Sequence, residues 1–515
     1  MEKITFWLLS IVITFIFSNS QAQTLTATVL DSTSKKPIPY VTVKLQNKGV
    51  ITNAEGRFSF LLPQEIKETD SVFISCIGYA TLGKQIRDFQ ENTIYLAPKA
   101  IELKSVIVSN KQYTPEEIID RVKQNIAKNY DQSLSKKRLF FRDSYHQNMM
   151  KTDYTFIKST IASFNKKFLD SIIKNVPKKS SFYTEVLGDL YGNNEEENQK
   201  LDILKASKLY DKKNELNYTN IEEKFNEILR KNVKPNSYIK IKSGFFGTKI
   251  DGEDFDEIFE TKIDSSDAAA LKKEIEKKKK EALEQKTFFA QYKRKSLGEM
   301  MQNLFYMKDS KLDVIHHSRK YNFRIEEYTY IGDEPIYIVN FESKGGADYE
   351  GKLYVNSDDF AIIRIDYVNI KPIKKFNLLG FNSNHYLKTG KVFFTKEADK
   401  KYNVRYLEEE NGTRVGIKRP LKIIEKNKHV KGRNKQNELA LKLDMAITDT
   451  HKREVIVFTT KNISQTTYDS YTENNSILPE YMPNYNAEFW KGYSIIPPNQ
   501  AIREFTSKTE ETTQL

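Results

Sequence analysis

Hydrophobic and polar residues alternate along the first hundred positions in short, turn-bounded runs. Val41, Val43 and Leu45 alternate with Thr42, Lys44 and Gln46, and Pro37 and Pro39 precede them. That period of two predicts a strand with one buried face. Phe58, Phe60 and Leu62 form the next apolar face, ended by Pro63; "SVFISCIGYA" gives a third strand, and "NTIYLAP" a last one. Strands at this spacing predict a small antiparallel β-sandwich over residues 23–109. Asn53 to Gly56 reads as a hairpin-type turn between two of them.

The pattern changes after residue 110. Thr114, Pro115 and Glu117 form the start of a capped helix, and Ile118, Ile119, Val122 and Ile126 give it one apolar face. "KRLFFRDSYHQ" and "TDYTFIKSTIASF" read as strands, whereas residues 196–232 and 265–308 read as charged helices. The run "EIEKKKKEALEQK" is a solvated helix face. From 321 to 460 the strand pattern returns as an antiparallel meander, and 461–515 is turn-rich. The expected fold is multidomain: an all-β sandwich of prealbumin or immunoglobulin-like type, then an α+β body with a curved antiparallel sheet and charged helices. The body divides into 110–320, 321–460 and 461–515.

Ahead of the sandwich, Met1-Glu2-Lys3 leads into an apolar run from Ile4 to Phe17, with Ser20 and Ala22 at the small-residue positions before a cut. Residues 1–22 therefore read as a signal peptide, leaving Gln23 first. No cysteine follows the cut, so no lipid anchor is expected there. The polar end "TSKTEETTQL" offers no closing strand for a transmembrane barrel. The expected location is the periplasm or outer-membrane surface of a Gram-negative cell, with the protein peripheral rather than membrane-spanning.

Two sequence blocks carry a resemblance. "TATVLDSTSKKPIPYVTVKLQNKGVITNAEGRFSF" and "SVFISCIGYA" resemble the carboxypeptidase-regulatory-like domain, a transthyretin-like sandwich, through Asp31, Pro37 to Val43, Glu55-Gly56-Arg57-Phe58 and Gly78-Tyr79. "LKSVIVS" at 103–109 is the follow-on common in bacterial members. The resemblance implies a module found before TonB-dependent receptors and other outer-membrane proteins, and not a peptidase. The segment "GKLYVNSDDFAIIRIDY" also resembles the strand-turn-strand repeats of curved-sheet envelope carriers of lipoproteins and lipids.

The net charge is +13, and it is concentrated. Residues 371–435 hold 18 Lys or Arg against 6 Asp or Glu. An exported chain rarely meets nucleic acid, so the partners this surplus suggests are an envelope protein, lipid or an anionic polymer; solvated strand edges are the alternative. The single Cys76 excludes an intramolecular disulfide and, in line with Val72 and Ile74, reads as a buried, inert thiol.

Catalytic patterns fail one by one. His451 and Glu454 have the His-x-x-Glu spacing of metallocarboxypeptidases, but no later histidine supplies a third ligand. His316-His317 cannot share a ligand without outside help. Gly346 to Lys352 has phosphate-loop spacing, yet Leu353 replaces the required hydroxyl and a strand follows. The acidic run 251–257 lacks the EF-hand glycine. Phe489, Trp490 and Tyr493 read as a cluster docked on a sheet. The sequence thus predicts no catalytic, cofactor or metal residues. It predicts a non-enzymatic envelope protein that binds a protein, lipid or polymer, with a peptide or glycan hydrolase and a purely structural component as alternatives.

Overall fold

Alternation of the kind seen at Val41 to Leu45 buries one face of each short strand, and the chain's first strands pair accordingly. The structure, a computed structural model, describes residues 24–46, 48–63, 65–89, 92–99, 113–234, 237–244, 246–250, 268–427, 429–432, 434–473 and 476–507. The predicted signal peptide, the "LKSVIVS" stretch, the acidic run 251–257 and residues 508–515 lie outside them. Among the described residues no helix is long and apolar enough to cross a membrane. About half of the described residues are strand, so the protein is mostly β, with N-terminal sheets, one large sheet and few helices.

Two units are distinguished by their internal contacts. The first comprises the residues up to 100, 330–333 and 486–499. It has two sheets. Strands β1 (Thr24–Asp31), β4 (Arg57–Leu61) and β7 (Thr93–Leu96) form one, in the order β4-β1-β7; β2 (Thr42–Leu45), β3 (Lys48–Ile51), β5 (Ser71–Ser75) and β6 (Leu82–Gln85) form the other, in the order β3-β2-β5-β6. Val29, Val43, Phe58, Phe60, Val72 and Ile74 are buried. The sandwich is not wholly antiparallel, because β1 and β7 run parallel. Cys76 lies past the end of β5 and is only half-buried, since the strand's alternation stops at Ser75.

The 486–499 segment belongs to this unit. Asn53 explains part of the attachment: its Nδ2 donates to the Pro497 carbonyl at 3.2 Å, while Leu61 N–H donates to Ser494 Oγ at 3.3 Å. Trp490 is buried, as a docked aromatic should be, whereas Tyr493 stays exposed.

The second unit is organised by a 14-stranded sheet. Its strands are β8 (Ser135–Ser159), β9 (Lys179–Gly192), β10 (Gln199–Tyr210), β11 (Tyr238–Ser243), β12 (Phe246–Ile250), β13 (Tyr321–Ile331), β14 (Glu334–Ser343), β15 (Tyr349–Asn356), β16 (Ile362–Asn369), β17 (Lys374–Leu378), β18 (Phe381–Lys396), β19 (Tyr402–Lys426), β20 (Lys435–Asn462) and β21 (Glu480–Met482). The main path is β13-β14-β15-β16-β18-β19-β20-β8-β9-β10-β21, with β11 also paired to β19 and β17 to β18. Strands from 110–320 and 321–460 thus share one sheet.

Among the described residues, four helices of ten or more residues accompany it: α1 (Pro115–Asn129), α2 (Lys166–Asn175), α3 (Lys212–Asn232) and α4 (Ala268–Gln302). The α1 start is the expected capping box, with Thr114 and Glu117 bonding reciprocally. On α4, Lys280 pairs with Glu284 across a solvated face. Residues 199–210, expected to be helical, are instead β10. A register shift between Ile203 and Lys205 moves buried positions to Leu201, Ile203, Ala206 and Leu209, a spacing that imitates a helix face. The two stretches read as separate strands at 137–164 are the single strand β8 for most of their length.

Candidate functional site

Charged residues fill the middle of the large sheet, where strands are covered on both faces. Along β20, odd positions such as His451 and Arg453 face α4, and even positions such as Lys452 and Glu454 face the opposite side. On the α4 side, Lys293 Nζ lies 2.8 Å from Asp143 of β8, and His451 Nε2 bonds the other Asp143 oxygen. One strand further, Arg453 donates to Ser296 Oγ at 2.9 Å and pairs with Glu409 of β19, which Lys388 of β18 holds from its other oxygen at 3.1 Å. Asn411 Nδ2 donates to Glu409 at 2.8 Å and its Oδ1 bonds His385 Nε2.

Ser296, His385, Lys388, Glu409, Asn411, His451 and Arg453 of this network line a cavity of about 590 Å³, while Asp143 and Lys293 stand outside the lining and meet it through His451. Tyr145, Tyr292, Lys295, Glu299, Thr413 and Asp449 complete the lining. A second cavity of about 340 Å³, with Asn303 and Lys311 in its wall, shares Glu299, Lys388, Glu409 and Arg453 with the first. Together they form one polar cleft between α4 and the sheet.

Two carboxylates of the network, Glu409 and Asp143, are held as anions. Burial would raise the Glu409 carboxyl, but Lys388 and Arg453 outweigh it and bring it to about 2. Burial would likewise raise the Asp143 carboxyl, but the Lys293 cation and the hydrogen bond from His451 outweigh it and hold that carboxyl far below the usual range. Tyr145 is pushed up to about 12, first by burial and then by Asp449. Groups with such values do not exchange protons near neutrality, so they offer hydrogen bonds and charge rather than acid–base catalysis.

A second ladder crosses the opposite face. Lys391 and Lys452 both reach Glu408, at 2.6 and 3.1 Å; Lys452 also pairs with Glu454, and Tyr406 O–H donates to Glu408. Arg142 and Glu185, both buried, form a two-nitrogen pair at 2.8 and 2.6 Å. His451 and Glu454 therefore sit on opposite faces of one strand, because three residues along a strand reverse the side chain. Their spacing makes no metal pair, and among the described residues no group of three or more His, Cys, Asp or Glu could hold a metal.

The remaining sequence candidates scatter. His317 pairs with Asp313 at 3.0 Å and is exposed. Gly346 to Lys352 joins β14 to β15 as a hairpin, with Lys352 bonded to Glu326. Part of the basic surplus of 371–435 is paired within the fold: Lys371 with Asp348, Lys396 with Asp359, Arg405 with Glu397 and Lys435 with Glu438.

In the first unit the motif residues meet. Asp31 accepts from the N–H groups of Thr33 and Ser34 and from Tyr79 O–H at 2.9 Å. Gly56 has φ of +71°, and a Cβ there would stand 2.6 Å from the Val29 carbonyl oxygen, so only glycine fits. Asn53 Oδ1 closes the same turn by accepting from Glu55 and Arg57. Residues 25–108 match the CarboxypepD_reg-like domain.

The CarboxypepD_reg-like domain ends before β8, so the cleft lies outside the matched span. No curated protein matches the chain. Among solved structures, the complex of Pseudomonas aeruginosa MucA/MucB is similar at 6% identity and a TM-score of 0.15, covering 65% of this chain and 93% of that one. A crystal structure of MucB with periplasmic MucA is similar at 6% identity and the same TM-score, covering 64% and 94%. Likenesses that slight bear on neither fold nor function.

Asp143, Lys293, Lys388, Glu409 and Arg453 were not legible as a site beforehand. The available signal was charge placed inside strands, in "RDSYH", "EEEN" and "HKRE", where alternation predicts apolar residues.

Proposed function

We infer that this is a non-enzymatic cell-envelope protein whose large sheet holds a segment of envelope polymer in the cleft beneath α4. The supporting observation is the cleft itself: the Glu409 carboxylate, held as an anion by Lys388 and Arg453, beside the rings of Tyr145 and Tyr292. Fixed donors and acceptors next to flat aromatic faces suit a sugar ring, which presents hydroxyls around an apolar face. The signal-peptide reading of residues 1–22 and the CarboxypepD_reg-like domain support export and a periplasmic or outer-membrane-associated location, with the domain as a binding or spacing module.

Calorimetric titration with N-acetylglucosamine oligomers tests this reading, with the mixture afterwards analysed by mass spectrometry. Saturable binding without cleavage, weakened about tenfold or more by Lys388→Gln, is expected. Absence of binding sinks the cleft assignment. The hydrolase alternative draws on the Asp143–His451 contact; cleavage that disappears in His451→Ala would establish it instead.

A further inference from the structure

Two hairpin tips of the large sheet carry apolar side chains into solvent. The β17–β18 tip exposes Phe376 (47%), Leu378 (51%), Leu379 (54%) and Phe381 (37%), and the β11–β12 tip exposes Phe246 (53%). Arg419 of β19 joins the two tips. It donates to the Leu379 carbonyl and to Ser243 Oγ, and its guanidinium lies 5.2 Å from the Phe246 ring and 4.8 Å from the Phe381 ring. The exposed groups therefore form one patch.

Folding alone does not account for these side chains. Leu379 and Gly380 make a two-residue turn with φ of +51° and +83°. Asn-Gly is the favoured pair for such a turn, because a left-handed backbone strains leucine but suits asparagine. The chain nonetheless places leucine there, pointing outward. Pairing of Phe376 with Ser383, Ser383 with Val415, and Leu378 with Phe381 puts the apolar residues on one sheet face.

The segments that build the two tips are basic. Segments 238–250, 374–387 and 412–424 contain nine Lys or Arg and no Asp or Glu. Lys374 shares the apolar face, and Lys375 and Lys418 occupy the other, so cations stand on both sides of the tip. Lys418 has an acidic neighbour, Asp444 of β20, at 3.8 Å. Lys375 lies three residues behind Leu378, about 10 Å along the strand. An apolar end backed at that depth by lysines on both faces matches the boundary between acyl chains and anionic headgroups.

We propose that the paired hairpin tips dock this protein onto an anionic lipid surface, with Leu378, Leu379, Phe376, Phe381 and Phe246 entering the interface and the lysines contacting lipid phosphates. The docking is shallow, because β17 is an edge strand and its outward backbone groups need water or headgroups. It is independent of the cleft reading.

Flotation of the full chain with phosphatidylcholine vesicles, with and without phosphatidylglycerol, decides the matter. Binding to the phosphatidylglycerol vesicles that weakens with salt is expected. Leu378→Ser with Leu379→Asn should reduce it by about tenfold per leucine, and Lys374→Gln with Lys375→Gln by about fivefold per lysine. Leu379→Asn relieves the turn, so its thermal midpoint should not fall, which separates lost docking from lost folding. Failure to float, equal binding to both vesicle types, or unchanged binding by the leucine variant overturns the proposal. So does a dimer in analytical ultracentrifugation that the leucine variant abolishes.

Discussion

The sandwich and the middle of the large sheet are both β-structure, yet they are held by different forces. In the sandwich, buried Val, Ile and Phe side chains alternate with wet ones, and polar groups appear at turns where they cap the backbone. In the large sheet, ion pairs occupy positions where alternation would place apolar residues, on both faces of the same strands. The first arrangement draws on area removed from water. The second depends on complete pairing, since a buried charge is tolerated only with its partner. Loss of one side chain therefore has a different meaning in each region.

The largest effect is expected at Arg142. Arg142→Ala leaves Glu185 buried without its partner and should destabilise the large sheet by about 3–5 kcal/mol, measured by denaturant unfolding. Replacing both partners, Arg142→Met with Glu185→Leu, should recover most of that loss. A double variant as unstable as the single one would mean that the pair is not what the sheet depends on.

Acid should separate the regions next. Glu408 and Glu409 titrate at about 2 in the fold against an ordinary 4.5. Their folded values are depressed, so their contribution is complete above about 4.5 and is lost as pH falls through about 2. Amide exchange between pH 4.5 and 2 should show β19 and β20 losing protection before β2 and β5. Simultaneous loss would erase the distinction.

In the sandwich, Asn53→Ala removes bonds to Glu55, Arg57 and Pro497 and should cost about 2 kcal/mol in thermal unfolding of that unit. Smallest is Thr114→Ala, which deletes the α1 cap for about 1 kcal/mol. Equal losses in these two variants would contradict the tighter burial of Asn53.

The same contrast explains what could be read from the sequence. Phe58, Phe60 and the Asp31, Gly56 and Tyr79 motif announce the sandwich because each acts on neighbours within tens of residues or through a strict period. The α1 cap is more local still, and it too was legible. The long strands were legible as strands, in "KRLFFRDSYHQ" and the meander over 321–460, but not in their length or pairing, because register shifts within β20 and β8 break the period, and burial on both faces removes the alternation. The cleft was hidden for a different reason. Asp143 and His451 stand 308 positions apart, and Arg453 and Ser296 stand 157 apart. Nothing in "RDSYH" names its partners; only the strand order brings them together.

That strand order also dictates when the chain can finish. β8, near the start of the large sheet, lies between β9 and β20, and its β20 neighbour is completed only at Asn462. Asn53 likewise waits for Pro497, 444 residues later. During synthesis, then, the growing polypeptide carries an open strand edge until β20 is made. Such an edge invites self-association until the last few dozen described residues arrive.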